Sequence, residues 1–155
     1  MEVLSVRNLS KSFGKKRVLD DIDLSVHSKE IIGLVGKSGC GKSSLIKILV
    51  GFLKPDTGLV NINSISSRSI GFSMQDNSLY ENLTLKQNLY YFAKIYEMPR
   101  KLRKEKITSL IEQFNLNGWE NVLVKNLSGG TKKRVDIVCA LLNDPEILIL
   151  DEPFL

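Results

Sequence analysis

A glycine-rich segment between an apolar run and a helix-like run constrains the fold of this chain more than any other feature. Residues 36–43 read Gly-Lys-Ser-Gly-Cys-Gly-Lys-Ser and fit the pattern G-x-x-x-x-G-K-[ST]. The apolar run 31–35 before this loop predicts a strand buried in a parallel sheet. Leu45, Ile48, Leu49 and Phe52 after it recur at helical spacing. Strand, loop and helix in this order predict an α/β fold.

The loop has the composition of an anion-binding turn. Its glycines let successive backbone N–H groups face one anion, and the N-terminus of the following helix adds about half a positive charge. Lys42 is then expected to reach the β- and γ-phosphates of a nucleotide, and the Ser43 hydroxyl to bind Mg²⁺. The alternative, a glycine-rich turn with a chance lysine, is disfavoured by the strand and helix on either side.

A second candidate site follows the apolar run 147–150. Four consecutive apolar residues predict a strand buried on both faces, and open α/β sheets bind ligands at the C-terminal ends of such strands. Asp151 would hold Mg²⁺, and Glu152 would polarise the water that attacks the γ-phosphate. An ordinary polar loop is the alternative, and only the upstream glycine loop disfavours it.

Between these two sites lies the segment Leu127-Ser128-Gly129-Gly130, which begins a helical pattern. The three segments together resemble the ATP-binding-cassette ATPases. In that family this helix is presented to ATP held by a second subunit, so the resemblance implies that Ser128 and the amides of Gly129 and Gly130 contact a γ-phosphate in trans. Thr131 departs from the glutamine usual after this motif. A plain helix capped by Ser128 is the alternative.

Two weaker elements add to the resemblance. Residues 70–75 end in Gln75. The resemblance implies that the Gln75 side chain joins Mg²⁺ and the attacking water to the membrane-facing subdomain. Phe13 stands where the family places an aromatic ring over adenine. A phenylalanine that anchors a hairpin is the alternative for Phe13.

The resemblance thus implies ATP and Mg²⁺ as cofactors and assigns the site residues as follows. The nucleotide-binding set is Phe13, Gly36, Lys37, Ser38, Gly39, Cys40, Gly41, Lys42, Ser43, Ser44, Ser128, Gly129 and Gly130; the catalytic set is Lys42, Gln75 and Glu152; the metal-binding set is Ser43, Gln75 and Asp151.

The expected fold class is α/β: a P-loop NTPase (RecA-like) core with a small antiparallel β subdomain and an inserted helical subdomain. Residues 1–30 and 58–74 alternate in β-type runs, whereas Thr84 and Gln87 form a capping box at the start of a helical region. The expected division is 1–75 for the antiparallel β and glycine-loop region, 76–127 for the helical subdomain, and 128–155 for the signature helix and carboxylate strand.

The end of the chain departs from the family, which continues with another core strand and a histidine that contacts the γ-phosphate. That strand would lie between 31–35 and 147–150, and its absence would leave backbone groups unpaired, each at a cost of about 1 to 3 kcal/mol. The expectation is therefore an incomplete nucleotide-binding domain, truncated at the C-terminus and inactive alone.

Composition restricts the cellular setting. The chain is 43% apolar and 25% charged, and no run approaches the roughly 20 apolar residues of a membrane span. Cys40 and Cys139 do not resemble a disulfide framework, and the N-terminus does not resemble a signal peptide. A cytoplasmic location, peripheral on the inner face of the membrane, is expected. The charge of +5 comes partly from basic runs at 100–106 and 132–134, which are expected to be solvated helix faces, so nucleic-acid binding is disfavoured.

The expected function is that of an ATPase subunit that closes as a head-to-tail dimer with a second ATP-binding subunit and powers a separate membrane-spanning permease. Segments 76–84 and 91–99 resemble multidrug and antibiotic exporters. The alternatives are a soluble cassette ATPase that acts on ribosomes or DNA, and a truncated fragment that binds nucleotide without turnover.

Overall fold

The computed structural model describes residues 1–63, 70–76 and 78–153. The chain forms two compact units, Met1–Ile65 and Ser66–Leu155. Both units combine strands with helices, so the expected mixed α/β class is confirmed. The finer division at residues 75 and 127 remains a prediction.

The first unit contains a three-stranded antiparallel sheet. Strand β1 (Glu2–Phe13) pairs with β2 (Lys16–His27) on one side and with β3 (Thr57–Ile62) on the other. Gly14 and Lys15 join β1 to β2, and the positive φ of 58° at Gly14 suits a tight hairpin turn. The antiparallel sheet predicted for residues 1–30 is confirmed.

Helix α1 (Lys42–Leu49) follows the glycine loop in the same unit. Its buried side chains, Leu45, Ile46, Ile48 and Leu49, form one apolar face, as the helical spacing predicted. Phe52 lies beyond the end of the helix and is 63% exposed. The helix ends at Leu49, and Gly51 follows its C-cap with a positive φ of 80°, a conformation common just after a helix.

The strand predicted at 31–35 is wrong for this structure. Residues 31–35 belong to neither of the sheets formed by the described residues, and Ile31 and Val35 are 98% and 97% exposed. An apolar run can be buried as a strand only where a neighbouring strand takes up its N–H and C=O groups. The described residues provide no such neighbour for this segment.

The second unit contains a parallel pair of strands, β4 (Ile70–Ser73) and β5 (Ile147–Leu150). Ile70 pairs with Ile147 and Ser73 with Leu150, so the two strands end side by side. The β-type alternation of residues 58–74 predicts an antiparallel strand here, and the parallel pairing corrects that prediction. The expected burial of β5 on both faces is also corrected: Ile147 is buried, but Leu148 is 38% exposed, because β4 is the one described strand beside it.

Three helices pack together in the second unit: α2 (Leu85–Ile95), α3 (Arg100–Gln113) and α4 (Gly129–Leu141), with a 3-10 turn at Val124–Asn126. The predicted capping box is confirmed, because the amide of Gln87 donates to the Thr84 hydroxyl and the amide of Thr84 donates to the Gln87 side chain. Their shared core is apolar. It consists of Leu79, Leu85, Leu89, Ala93, Ile107, Leu110, Ile111, Leu116, Val124, Leu127, Val135, Val138, Cys139 and Leu142. Within the described ranges no helix is both long and apolar enough to span a bilayer.

Candidate functional site

The glycine loop lies in the first unit and leads directly into α1. The amide of Cys40 donates to the carbonyl of Lys37 at 3.2 Å, which closes a turn within the loop. The Lys42 amine reaches back over this turn and donates to the carbonyls of Gly36 (2.8 Å) and Lys37 (3.1 Å). The same amine that is expected to bind phosphate oxygens therefore already lies over the loop.

Gly41 is required by the close approach of the loop to β2. Its φ is 103°, and a Cβ there would lie 2.8 Å from the Val18 carbonyl oxygen and 2.9 Å from a Leu19 methyl carbon. No larger residue fits without moving the strand. Gly39 also has a positive φ, 76°, but a Cβ at that position would meet no atom within 4 Å.

The N-terminus of α1 carries no acidic residue in its first turn, and no described side chain caps it. Ser43 and Ser44 are half-buried in that turn. The four buried apolar residues of α1 fix the helix at its other face. Amide donors at an uncapped helix start suit a bound anion.

Phe13 lies at the end of the β1–β2 hairpin, in the same unit as the loop. Its ring is 50% exposed, and the Lys11 amine lies 5.8 Å from the ring centroid. An exposed ring beside a cation can stack on a planar ligand, and it is not packed in the core.

Two candidate catalytic residues, Gln75 and Glu152, and the candidate metal ligand Asp151 lie at the shared end of β4 and β5 in the second unit. The amide of Asp151 donates to the carbonyl of Ser73 at 2.8 Å, which extends the strand pairing by one residue. Asp151 is buried (5% exposed), whereas Gln75 and Glu152 are exposed. The structure therefore brings Gln75, Asp151 and Glu152 to one edge of the sheet.

The donor set at these positions fits Mg²⁺. Hydroxyl and carboxylate oxygens are the ligands that this ion prefers, and Asp151 offers a carboxylate at the end of a paired strand. No cluster of three or more His, Cys, Asp or Glu side chains occurs among the described residues, so nothing there points to a transition-metal centre.

Lys133 is a functional candidate that sequence reasoning missed. The run 132–134 was expected to be solvated, but Lys133 is only 4% exposed. Its amine donates to the carbonyl of Met74 at 2.6 Å and to the carbonyl of Asp151 at 2.9 Å. The helical spacing from Lys133 to Asp136 and Ala140, all on one face of α4, was the signal available in the sequence.

Asp136, one turn after Lys133, holds the chain on both sides of Gln75. Its carboxylate accepts from the hydroxyl of Ser73 at 2.5 Å, and from the amide (3.0 Å) and hydroxyl (2.9 Å) of Ser78. Asp136 is 2% exposed, and all three donors belong to β4 or to the segment that follows it.

Residues 128–130 begin α4 and are exposed. The Ser128 hydroxyl accepts from the amide of Thr131 at 3.2 Å and lies 2.9 Å from the Thr131 hydroxyl. Thr131, the departure from the family pattern, is thus part of the cap. An exposed, capped helix start with two glycines can be approached closely by another molecule.

The remaining basic residues make surface contacts. Lys132 pairs with Glu81 at 3.1 Å, Lys106 pairs with Asp144, and Arg134 donates to the carbonyls of Phe114 and Asn115 at the end of α3. These contacts pair three cations of the basic runs with acceptors in the same unit.

A glycine loop at the start of a helix, together with carboxylates at the ends of parallel strands, defines a P-loop NTPase. Residues 19–155 match the protein family described as ABC transporter. The chain therefore belongs to the ABC transporter family, and it carries the ATP-binding part of that family.

Several curated relatives are transporter ATP-binding proteins. The chain is 39% identical to the spermidine/putrescine import ATP-binding protein PotA of Acetivibrio thermocellus, over 97% of this chain and 45% of the relative. It is 35% identical to the lipopolysaccharide export system ATP-binding protein LptB of Haemophilus influenzae, over 99% of this chain and 68% of the relative. Both import and export proteins are thus similar to it.

Solved structures have the same fold. An ATP-binding subunit of an ABC transporter superposes with a TM-score of 0.88 at 32% identity, covering 99% of this chain and 67% of that one. The protein cbiO1 of Clostridium perfringens, part of the ABC transporter complex cbiONQ, superposes with a TM-score of 0.82 at 25% identity, covering 96% and 64%.

Proposed function

We propose that this chain binds MgATP and hydrolyses it as part of a transporter's ATP-binding subunit. The observation that carries the proposal is the loop 36–43, where the Lys42 amine lies over the turn and α1 begins without a competing cap. Phosphate oxygens would replace the carbonyls of Gly36 and Lys37 as partners of this amine, because its hydrogen bond to an anion is stronger than its bond to an uncharged carbonyl.

The other site residues have roles that suit their positions. The exposed ring of Phe13 would stack on adenine. Ser43 and Asp151 would hold Mg²⁺, which when bound neutralises charge on the β- and γ-phosphates. Glu152 is exposed at the end of β5, where its carboxylate can accept a proton from the attacking water, and Gln75 would help to orient that water.

A partner subunit and a membrane location are part of the proposed function. We infer that the exposed segment 128–130 contacts ATP bound to a second ATP-binding subunit in a head-to-tail dimer. A membrane-spanning permease would hold the protein at the inner face of the membrane. Support comes from the import, export and cbiONQ proteins to which the chain is similar.

Calorimetric titration of MgATP tests the central step. Lys42→Ala in the full-length protein should abolish binding, because it removes the amine that lies over the loop. Lys47→Ala is the matched control: Lys47 is exposed in the last turn of the same helix, so its loss should leave the Kd unchanged. Equal binding by Lys42→Ala and the parent would refute the proposal.

A further inference from the structure

One buried ammonium holds the two strand ends that carry the candidate catalytic residues. The Lys133 amine donates to the carbonyl oxygens of Met74 and Asp151 at 2.6 and 2.9 Å. A carbonyl belongs to the peptide unit that joins its residue to the next one. Lys133 therefore fixes the peptide units that lead directly into Gln75 and Glu152.

The burial of this charge calls for an explanation. Lys133 is 4% exposed, and burying an ammonium is unfavourable unless hydrogen bonds compensate for the lost water. For stability alone, an apolar side chain at a buried position is often as good as a buried charge. The Lys133 ammonium donates to two uncharged carbonyls. Its specific effect is therefore to fix the positions of the two peptide units that carry them.

A second residue on the same face of α4, Asp136, also holds the chain around Gln75. Asp136 accepts from Ser73, just before the Met74 carbonyl, and from Ser78, just after the loop that contains Gln75. Gly71 adds a close contact, since a Cβ there would lie 2.4 Å from the Ala140 carbonyl oxygen of α4. The ends of β4 and β5 are thus held to α4 at several points.

We propose that Lys133 is a positioning residue that sets the position of Gln75 relative to Glu152. It also links both residues to the placement of α4, the helix capped by Ser128. The inference rests on the proposed function, in which these two side chains orient and activate the attacking water. A shift of α4 would move both peptide units together. Binding of ATP by the same chain, which we assign to Phe13 and residues 36–44 of the other unit, would be spared, whereas the contact of 128–130 with a partner's ATP is a separate step.

Kinetics on the full-length protein separate positioning from binding. Lys133→Met fills similar volume without N–H donors, so kcat should fall at least about tenfold while the Kd for a fluorescent ATP analogue stays within about twofold. Lys133→Arg keeps the charge and several donors and should recover a substantial part of kcat. Lys132→Met is the matched control: its amine pairs with Glu81 at the surface, so both constants should stay within about twofold of the parent.

Amide hydrogen exchange gives a readout that does not depend on activity. In Lys133→Met the amide of Asp151, which donates to the Ser73 carbonyl between the two strand ends, should exchange at least about tenfold faster, while those of the α2 core stay protected. If Lys133→Met does not fold, Lys133→Gln replaces it, because its side chain is one atom shorter and cannot reach both carbonyls. The same pattern of exchange and kinetics is expected.

The outcomes divide as follows. Parental kcat in the folded variant, or equal losses of kcat and affinity without selectively faster exchange of the Asp151 amide, would overturn the positioning role. A parent that neither binds nor hydrolyses ATP would refute the proposed function. In that case the exchange data alone would decide whether Lys133 holds the two strand ends.

Discussion

The Asp136 carboxylate accepts a hydrogen bond from the Ser73 hydroxyl, although 63 residues separate the two in sequence. Asp136 is on α4, and Ser73 is the last residue of β4. This bond and the two that Asp136 accepts from Ser78 hold the end of β4 against α4.

Asp136→Asn should therefore destabilise the fold. The amide keeps the shape but has one acceptor oxygen instead of two, so a buried donor is left without a partner, at a cost of about 2 kcal/mol. Asp144→Asn is the matched control, because that carboxylate is 77% exposed and its pair with Lys106 should contribute less than about 1 kcal/mol. Urea unfolding measures both; equal losses would contradict the role given to Asp136.

Two glycines of the loop should differ in their tolerance of a methyl group. Gly41→Ala adds a clash with Val18 and Leu19 to an unfavourable φ, and should cost about 2 to 3 kcal/mol. Gly39→Ala meets open space and should cost only about 1 kcal/mol. Thermal unfolding of the two variants checks the order, and a more stable Gly41→Ala would show that the loop does not approach β2 so closely.

Glu152→Gln should separate binding from chemistry in the full-length protein. The amide preserves the shape but cannot accept a proton, so hydrolysis should slow by at least about a hundredfold while MgATP affinity is retained. Glu146→Gln, before β5, is the control and should hydrolyse at the parental rate. If Glu152→Gln keeps that rate as well, Glu152 is not the base.

Ser128→Arg should prevent ATP-dependent dimerisation, because it places bulk and charge at the exposed start of α4. ATP binding to the monomer should persist, since the loop 36–43 is untouched. Light scattering with and without MgATP measures the dimer, and Ser128→Thr, which keeps the capping hydroxyl, should dimerise. Normal assembly of Ser128→Arg would exclude a contact in trans at this position.

The two cysteines should react at very different rates. Cys40 is exposed in the loop, whereas Cys139 is buried, and burial together with nearby Asp136 raises the pKa of its thiol well above the usual range. Maleimide should modify Cys40 at least about tenfold faster in the native protein, and both equally in denaturant. MgATP should protect Cys40 if the loop encloses phosphate. Faster labelling of Cys139, measured by mass spectrometry, would contradict the structure.

The sequence by itself determined the features that depend on neighbours along the chain. The glycine loop, the start of α1, the Thr84–Gln87 capping box and the Ser128 cap each involve residues a few positions apart, so their chemistry can be recognised without a fold. The same local patterns were sufficient to indicate the family.

Only the tertiary structure decided which segments meet. The apolar run 31–35 looked like a strand but is exposed, because a strand depends on partners that are distant in sequence. The parallel pairing of β4 with β5 joins segments more than 70 residues apart. Lys133 looked like one solvated cation among several, and it became a buried contact of two strand ends only because α4 packs across both. Which segments pair, and whether Lys133 is buried, are properties of the assembled chain, because they depend on residues that are distant in sequence.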